Sequence, residues 1–186
     1  MRSRERELMV ELQLQARGIA DARVLEAMGA VERERFAPVD LDDDAYADTE
    51  LPVGYGQVLH RPETIGRALS LLELAGPERL LVVGAGSGYA AAVAALLVRQ
   101  VVATERVPQL AARATRNLAG AARVLAVDGT QGLAAEAAFD AALVLAAGAR
   151  APVRVAHELR PGGRLVYLRP DGDPVLVIAG REPPAG

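Results

Sequence analysis

Gly84, Gly86 and Gly88 stand at alternate positions directly after the apolar run Leu80–Val83, in the segment LLVVGAGSGY. A strand that ends in closely spaced glycines brings the backbone near a ligand that no side chain obstructs. Such turns hold nucleotide cofactors at the carboxyl end of a parallel sheet. Glu105 closes the next apolar run, 21 positions after Gly84, close to the roughly 20 that separate such a turn from a ribose-binding carboxylate. A carboxylate accepts both ribose hydroxyl hydrogens and repels a 2′-phosphate, which weighs against NADP. Asp128 and Gly129 close the run after that, where a carboxylate would meet an adenine amino group and a glycine would let the chain pass close to the base. Singly, each has a plainer explanation: glycine turns also pack helices on strands, and Asp-Gly is an ordinary turn. In order, at three consecutive strand ends, they point to an adenosine-containing cofactor. The spacing is GxGxG, with Tyr89 where GxGxxG has its third glycine, and this favours S-adenosyl-L-methionine over a dinucleotide.

The elements that must position these residues follow from periodicity. Apolar runs at Leu80–Val83, Val101–Thr104, Val124–Val127, Ala141–Leu145 and Arg164–Leu168 alternate with helical patterns at Tyr89–Val98, Val107–Leu118 and Pro152–Leu159. Near-continuous apolar strands separated by helices imply a parallel sheet covered on both faces. Asp171-Gly172-Asp173 predicts a hairpin that adds Pro174–Ala179 antiparallel to Arg164–Leu168. Ahead of this core the sequence predicts helices over Glu5–Gln15, Ala22–Val31 (with Asp21 as N-cap) and Glu63–Leu74 (with Pro62 at its start). Phe36–Glu50 reads as a loop and Leu51–Glu63 as irregular and turn-rich. The expectation is one domain over residues 1–186, with a helical, substrate-side extension at 1–75 and a cofactor-binding core at 79–180.

The chain has 186 residues, half of them apolar, enough for one substantial core. It has no Cys, which removes disulfides, thiolate metal sites and cysteine nucleophiles. It also has no Lys, which excludes a Schiff-base lysine. A net charge of −3 argues against general nucleic-acid binding. The acidic run Asp42–Asp44 lacks the spaced oxygen ligands of a cation site, so no metal is expected and a solvated loop is. The charged N-terminus lacks an apolar signal region and no apolar stretch approaches the ~20 residues of a membrane span. These features suggest a cytoplasmic protein without a membrane partner.

The chain resembles the protein-L-isoaspartate O-methyltransferase family from about Met9 to Val166. The resemblance is carried by GIADARVLEAMGAVERERFAP (Gly18–Pro38), AYADTELPVGYGQ (Ala45–Gln57), LLVVGAGSGYAAAVAAL (Leu80–Leu96), VDGTQG (Val127–Gly132), FDAALVLAA (Phe139–Ala147) and LRPGGRLV (Leu159–Val166). The first two are specific to this family; the last three are shared by many methyltransferases. The resemblance implies a class I S-adenosylmethionine-dependent methyltransferase fold, α/β and Rossmann-like, with a mostly parallel doubly wound sheet and an N-terminal helical extension. It implies methyl transfer to the carboxylate of an isoaspartyl residue in a protein or peptide. A carboxylate is already ionised at neutral pH and the sulfonium methyl already activated. The enzyme need only align the reacting atoms and exclude water, so the lack of a catalytic triad is no objection. On this basis Gly84, Gly86, Ser87 and Gly88 line the cofactor turn, Glu105 binds ribose, Asp128 and Gly129 bind adenine, and Gln57, Val58, Leu59 and His60 face substrate.

Two positions depart from the family. Where it has Thr-Ile-Ser, with the Ser as its active-site residue, this chain has Val58-Leu59-His60. Where it has an acidic residue two before the first glycine, this chain has Val82. The chain also stops soon after Ile178, ahead of the family's C-terminal strand region. His60, in the catalytic Ser position, has three readings: a donor to the substrate carboxylate, a cationic imidazolium attracting it, or a loop side chain filling space. Tyr46 and Tyr55 are either groove walls or packing residues, and His157 reads as a surface residue. The departures leave a second function open, a non-catalytic or altered-substrate relative. A nicotinamide-dependent oxidoreductase stands third, disfavoured by Tyr89.

Overall fold

Asp21 starts a helix as its residue type predicts. Its carboxylate accepts hydrogen bonds from the backbone N–H groups of Arg23 and Val24 at 3.0 and 3.2 Å, two donors that the first helical turn leaves without partners. This is a computed structural model describing residues 2–146 and 152–178. Helix α1 (Ser3–Leu8) widens into a π-helical turn over Met9–Leu14, and α2 spans Ala22–Ala30. The predicted loop that follows contains 3-10 turns at Arg33–Arg35 and Val39–Asp44. Asp42 and Asp43 of the acidic run pair with Arg2. Among the described residues no group of acidic or histidine side chains is arranged to hold a metal.

The segment expected to be irregular is a hairpin. Strands β1 (Leu51–Gly54) and β2 (Gln57–Leu59) pair antiparallel, with Leu51 opposite Leu59 and Gly54 opposite Gln57. Tyr55 and Gly56 form the two-residue turn with φ of 56° and 69°, the left-handed pair whose twist matches that of the strands it joins. A tyrosine in place of the usual Asn or Gly, and Pro52 inside a strand, conceal the hairpin in the sequence. Pro52 is tolerated because this two-stranded sheet consists only of edges. Helix α3 (Pro62–Leu71) follows, with Pro62 in its first turn where a missing N–H costs nothing.

The main sheet has strands β3 (Arg79–Val83), β4 (Gln100–Thr104), β5 (Arg123–Leu125), β6 (Phe139–Val144), β7 (Leu159–Leu168) and β8 (Pro174–Ile178), in the order β5-β4-β3-β6-β7-β8. All neighbours run parallel except β7 and β8, the predicted hairpin. Ala179 lies outside the described residues. Helices α4 (Tyr89–Ala94), α5 (Pro108–Leu118) and α6 (Val153–Ala156) connect the strands. Several boundaries are corrected, α3 ending at Leu71 rather than Leu74 and α4 at Ala94 rather than Val98. Strand β5 ends at Leu125, before Val127, and the helix expected over Pro152–Leu159 keeps four residues because Leu159 already pairs with Phe139. Leu80, Leu81 and Val82 of β3 are fully buried, each stabilising the fold by about 2 kcal/mol relative to exposure. Among the described residues no helix is long and apolar enough to cross a membrane.

Register is what creates a site. From β3 the chain builds outward through β4 and β5, then returns to build β6, β7 and β8 on the other side of β3. The order therefore reverses between β3 and β6, where open α/β sheets bind ligands beyond their carboxyl ends. Val83 pairs with Thr104 on one side and Val144 on the other. The residues that follow each of them, Gly84, Glu105 and Leu145, thus emerge side by side at one edge.

Candidate active site

The turn after β3 is fixed by its neighbour strand. The N–H groups of Gly84 and Ala85 both donate to the Thr104 carbonyl at 2.9 Å. Gly84 has a φ of +87°, and a Cβ there would stand 3.0 Å from the Ala146 backbone nitrogen. A side chain at this position would thus face both a strained backbone and a clash. Glu105 closes the other wall. It is 4% exposed; one carboxylate oxygen accepts the Gly86 N–H and the other the Val107 N–H, each at 2.9 Å. Backbone donors to an ionised carboxylate are strong hydrogen bonds and hold this side chain in one orientation. Each oxygen has further acceptor capacity, which ribose hydroxyls would use.

Asp128 caps the 3-10 turn Gly129–Gln131 and accepts from the Thr130 hydroxyl at 2.6 Å and the Thr130 N–H at 3.0 Å. The hydroxyl bond chiefly holds its carboxyl below the usual aspartate value, so an exposed anion stands at this end of the cleft. Gly129 is required by Thr104. A Cβ on it would lie 2.1 Å from the Thr104 hydroxyl oxygen.

The hairpin closes the opposite side. Gly86 faces it so closely that a Cβ there would lie 3.9 Å from the Val58 carbonyl oxygen. Together these elements enclose a cleft of about 790 Å³. Gln57, Val58, Leu59 and His60 line it from the hairpin; Gly84, Gly86, Ser87, Glu105, Asp128 and Gly129 line it from the sheet edge. Gly88 stands outside. It precedes α4 with a φ of +103°, and a Cβ on it would press on Leu118 at 3.2 Å, so its place is in helix packing. Tyr46 is a packing residue, 6% exposed, and Tyr55 projects from the turn tip, 60% exposed; neither lines the cleft. His157 is exposed and also lies away from it.

The residues present fit an adenosine-type ligand. The Ser87 hydroxyl is buried at the cleft wall without a hydrogen-bond partner among the described residues, an arrangement that a polar ligand would relieve. The glycine turn offers close backbone approach, and Glu105 is pre-oriented.

His60 is held on three sides. Its ring nitrogens both face protein acceptors, Nδ1 the Glu50 carboxylate at 2.9 Å and Nε2 the Leu145 carbonyl at 3.3 Å. Its own carbonyl accepts from Arg33 Nη2 at 2.7 Å. No spacing or motif marks Glu50, Arg33 or Leu145 as neighbours of this site. Leu145 alone was accessible in principle, as a residue at the carboxyl end of a predicted strand.

The family model described as protein-L-isoaspartate(D-aspartate) O-methyltransferase (PCMT) matches residues 3–171. The chain belongs to this family. A protein-L-isoaspartate O-methyltransferase of Methanoculleus marisnigri is 46% identical over 167 residues, covering 88% of this chain and 76% of the relative. Its counterpart in Methylorubrum populi is 44% identical over 180 residues, covering 95% and 85%. A Plasmodium falciparum crystal structure described as a PCMT, in complex with S-adenosyl-L-homocysteine, superposes with a TM-score of 0.77. That likeness covers 95% of each chain at 20% identity and speaks for the fold.

Within the PCMT family the two departures have structural consequences. Val82 is fully buried in β3 between Ala103 and Leu143 of the adjacent strands, so this position packs the core here. Val58 is exposed at the hairpin, while Leu59 is buried and anchors the hairpin to the core. His60 keeps a polar side chain at the end of the motif.

Proposed function

We propose that this chain is an S-adenosyl-L-methionine-dependent protein carboxyl methyltransferase that acts on isoaspartyl residues of proteins or peptides. The observation that carries this is the coincidence of family membership with the anchored pair at the sheet edge, where Glu105 is held against the Gly86 N–H. When bound, S-adenosyl-L-methionine supplies a methyl group already activated by a sulfonium. Gly84, Gly86 and Ser87 would cradle it, Glu105 would hold the ribose hydroxyls, and Asp128 with Gly129 would border the adenine. The hairpin residues Gln57–His60 face this turn and would position the acceptor. A carboxylate acceptor needs no proton removed, so the protein's task is alignment and exclusion of water. The polypeptide would act as one domain, its first 75 residues forming the acceptor side, in the cytoplasm.

The test is transfer of labelled methyl from S-adenosyl-L-methionine to an isoaspartyl peptide, with the normal aspartyl peptide as control. Label appearing as a base-labile ester only on the isoaspartyl peptide is expected. Calorimetric binding of S-adenosyl-L-homocysteine without any transfer would reassign the chain to another acceptor, and no binding would remove the proposed chemistry altogether.

A further inference from the structure

We propose that the His60 imidazole is the seat of the acceptor carboxylate, and that in the free protein the Glu50 carboxylate occupies that seat. This rests on the carboxyl methyl transfer stated above.

The two arms of His60 differ. The Leu145 carbonyl on Nε2 belongs to the end of β6, where the Leu145 N–H donates to the Val83 carbonyl at 2.9 Å. That acceptor is part of the sheet and stays. The Glu50 carboxylate on Nδ1 comes from the residue ahead of β1, its side chain is 48% exposed, and His60 is its ion-pair partner among the described residues. An exposed side chain with one partner is displaced at small cost. Both acceptors take hydrogen and neither gives it, so a neutral imidazole satisfies one of them while the imidazolium satisfies both.

Position adds to this. Arg33, fully buried, clamps the His60 carbonyl, and the imidazole itself is 16% exposed at the cleft wall. The ring is thus held in place by the protein rather than by Glu50. Among the described residues, the charged groups lining the cleft are otherwise Glu105, Arg106 and Asp128, all at the cofactor end. Among these same residues, the hairpin half offers an anion only His60. A carboxylate already sits on Nδ1, and an acceptor carboxylate is the same chemical group. Glu50 would then act as an internal competitor that sets the threshold for acceptor binding.

Steady-state methylation of an isoaspartyl peptide by the parent, Glu50→Ala, His60→Gln and the double variant tests this. Glu50→Ala is expected to lower peptide KM by about threefold with little change in kcat, and His60→Gln to raise KM about tenfold. In the His60→Gln background Glu50→Ala should have no effect, because the two act through one contact. An unchanged or raised KM in Glu50→Ala, or the same effect with His60 absent, overturns the proposal.

A second readout does not depend on turnover. The chain has two histidines, and His157→Gln leaves only the signals of His60 in a ¹⁵N-histidine spectrum. With S-adenosyl-L-homocysteine present, isoaspartyl peptide should shift those signals, at lower peptide concentration in Glu50→Ala. Signals that stay fixed at peptide concentrations where calorimetry shows binding overturn the seat. A parent protein that transfers no methyl overturns the proposed function instead, and the spectrum still decides the seat. Should His60→Gln fail to fold by thermal unfolding, Glu50→Ala and the spectrum decide alone.

Discussion

Arg33 lies over the ring of Tyr89, its guanidinium carbon 4.7 Å from the ring centroid, and both side chains are closed off from solvent. The contact joins the N-terminal extension to the first turn of α4, directly behind the glycine turn. Phe36 meets the same ring edge-on, with centroids 5.7 Å apart. Burial pushes the Arg33 guanidinium down and the Tyr89 phenol up. No carboxylate pairs with Arg33 among the described residues; the Tyr89 ring face and the carbonyls of Ala45 and His60, each 2.7 Å from a guanidinium nitrogen, take its charge. Tyr89 thereby explains itself. At the position where a dinucleotide fold has a glycine for close packing, this chain has a ring that receives a cation from another element.

Arg33→Leu should therefore be among the most damaging single changes in the extension. It strands two buried carbonyls and removes a cation–π contact. A loss of about 3 kcal/mol is expected, read as a lower midpoint in denaturant unfolding. Arg33→Lys should recover only part of this, because an ammonium lacks the planar fork that reaches both carbonyls.

Gly129→Ala should destabilise the fold by about 1–3 kcal/mol, because its Cβ would collide with the Thr104 hydroxyl. Thr104→Ala removes that oxygen, and the double variant should recover part of the loss. A double-mutant cycle in urea checks the coupling. Strict additivity would show that Gly129 is needed for another reason.

Glu105→Gln replaces one of two backbone-anchored oxygens by an NH₂ group that faces a donor. Calorimetric affinity for S-adenosyl-L-homocysteine, measured below the unfolding transition, should fall about tenfold, equal to about 1.4 kcal/mol, and the unfolding midpoint should fall as well, because a buried backbone N–H loses its acceptor. A variant that binds as tightly as the parent would remove Glu105 from the ribose site.

Tyr46 supplies a pH prediction. Burial and its hydrogen bond to Glu34 push its phenol up to about 12. The hydroxyl donates to the Glu34 carboxylate and accepts from the Arg33 N–H at 3.2 Å. A phenol whose folded value lies above its unfolded one contributes stability in full below the unfolded value, near 10. That contribution is lost as pH rises from there through the folded value near 12. Alkaline titration at the tyrosinate absorbance should show Tyr46 and Tyr89 ionising above the ordinary tyrosine range, and Tyr46→Phe should flatten the loss of stability in this window.

Much of the molecule was written in local sequence. The alternation of apolar runs and helical segments gave the parallel sheet, since a strand buried on both faces has no polar residues to spare. The glycine turn and Glu105 stand directly after β3 and β4, as the apolar runs indicate, whereas Asp128 lies beyond the end of β5, at the start of a 3-10 turn. Asp21 and Pro62 marked helix starts through their own chemistry. The hairpin at Leu51–Leu59 was hidden by Tyr55, whose left-handed conformation has no local signature. Gly129 was legible as a turn, but the reason it must be glycine lies in Thr104, on another strand.

The sequence by itself determined the family, the sheet and the glycine turn, because these depend on periodicity and on residues close together along the chain. Tertiary structure alone decided what His60 does. Its ring meets Glu50 ten residues away in sequence and Leu145 eighty-five away, and its carbonyl meets Arg33, twenty-seven away. Hydrogen-bond partners so far apart are chosen by how the hairpin lies on the sheet edge. That placement is set by packing and by one buried cation, and it leaves no period or motif in the sequence.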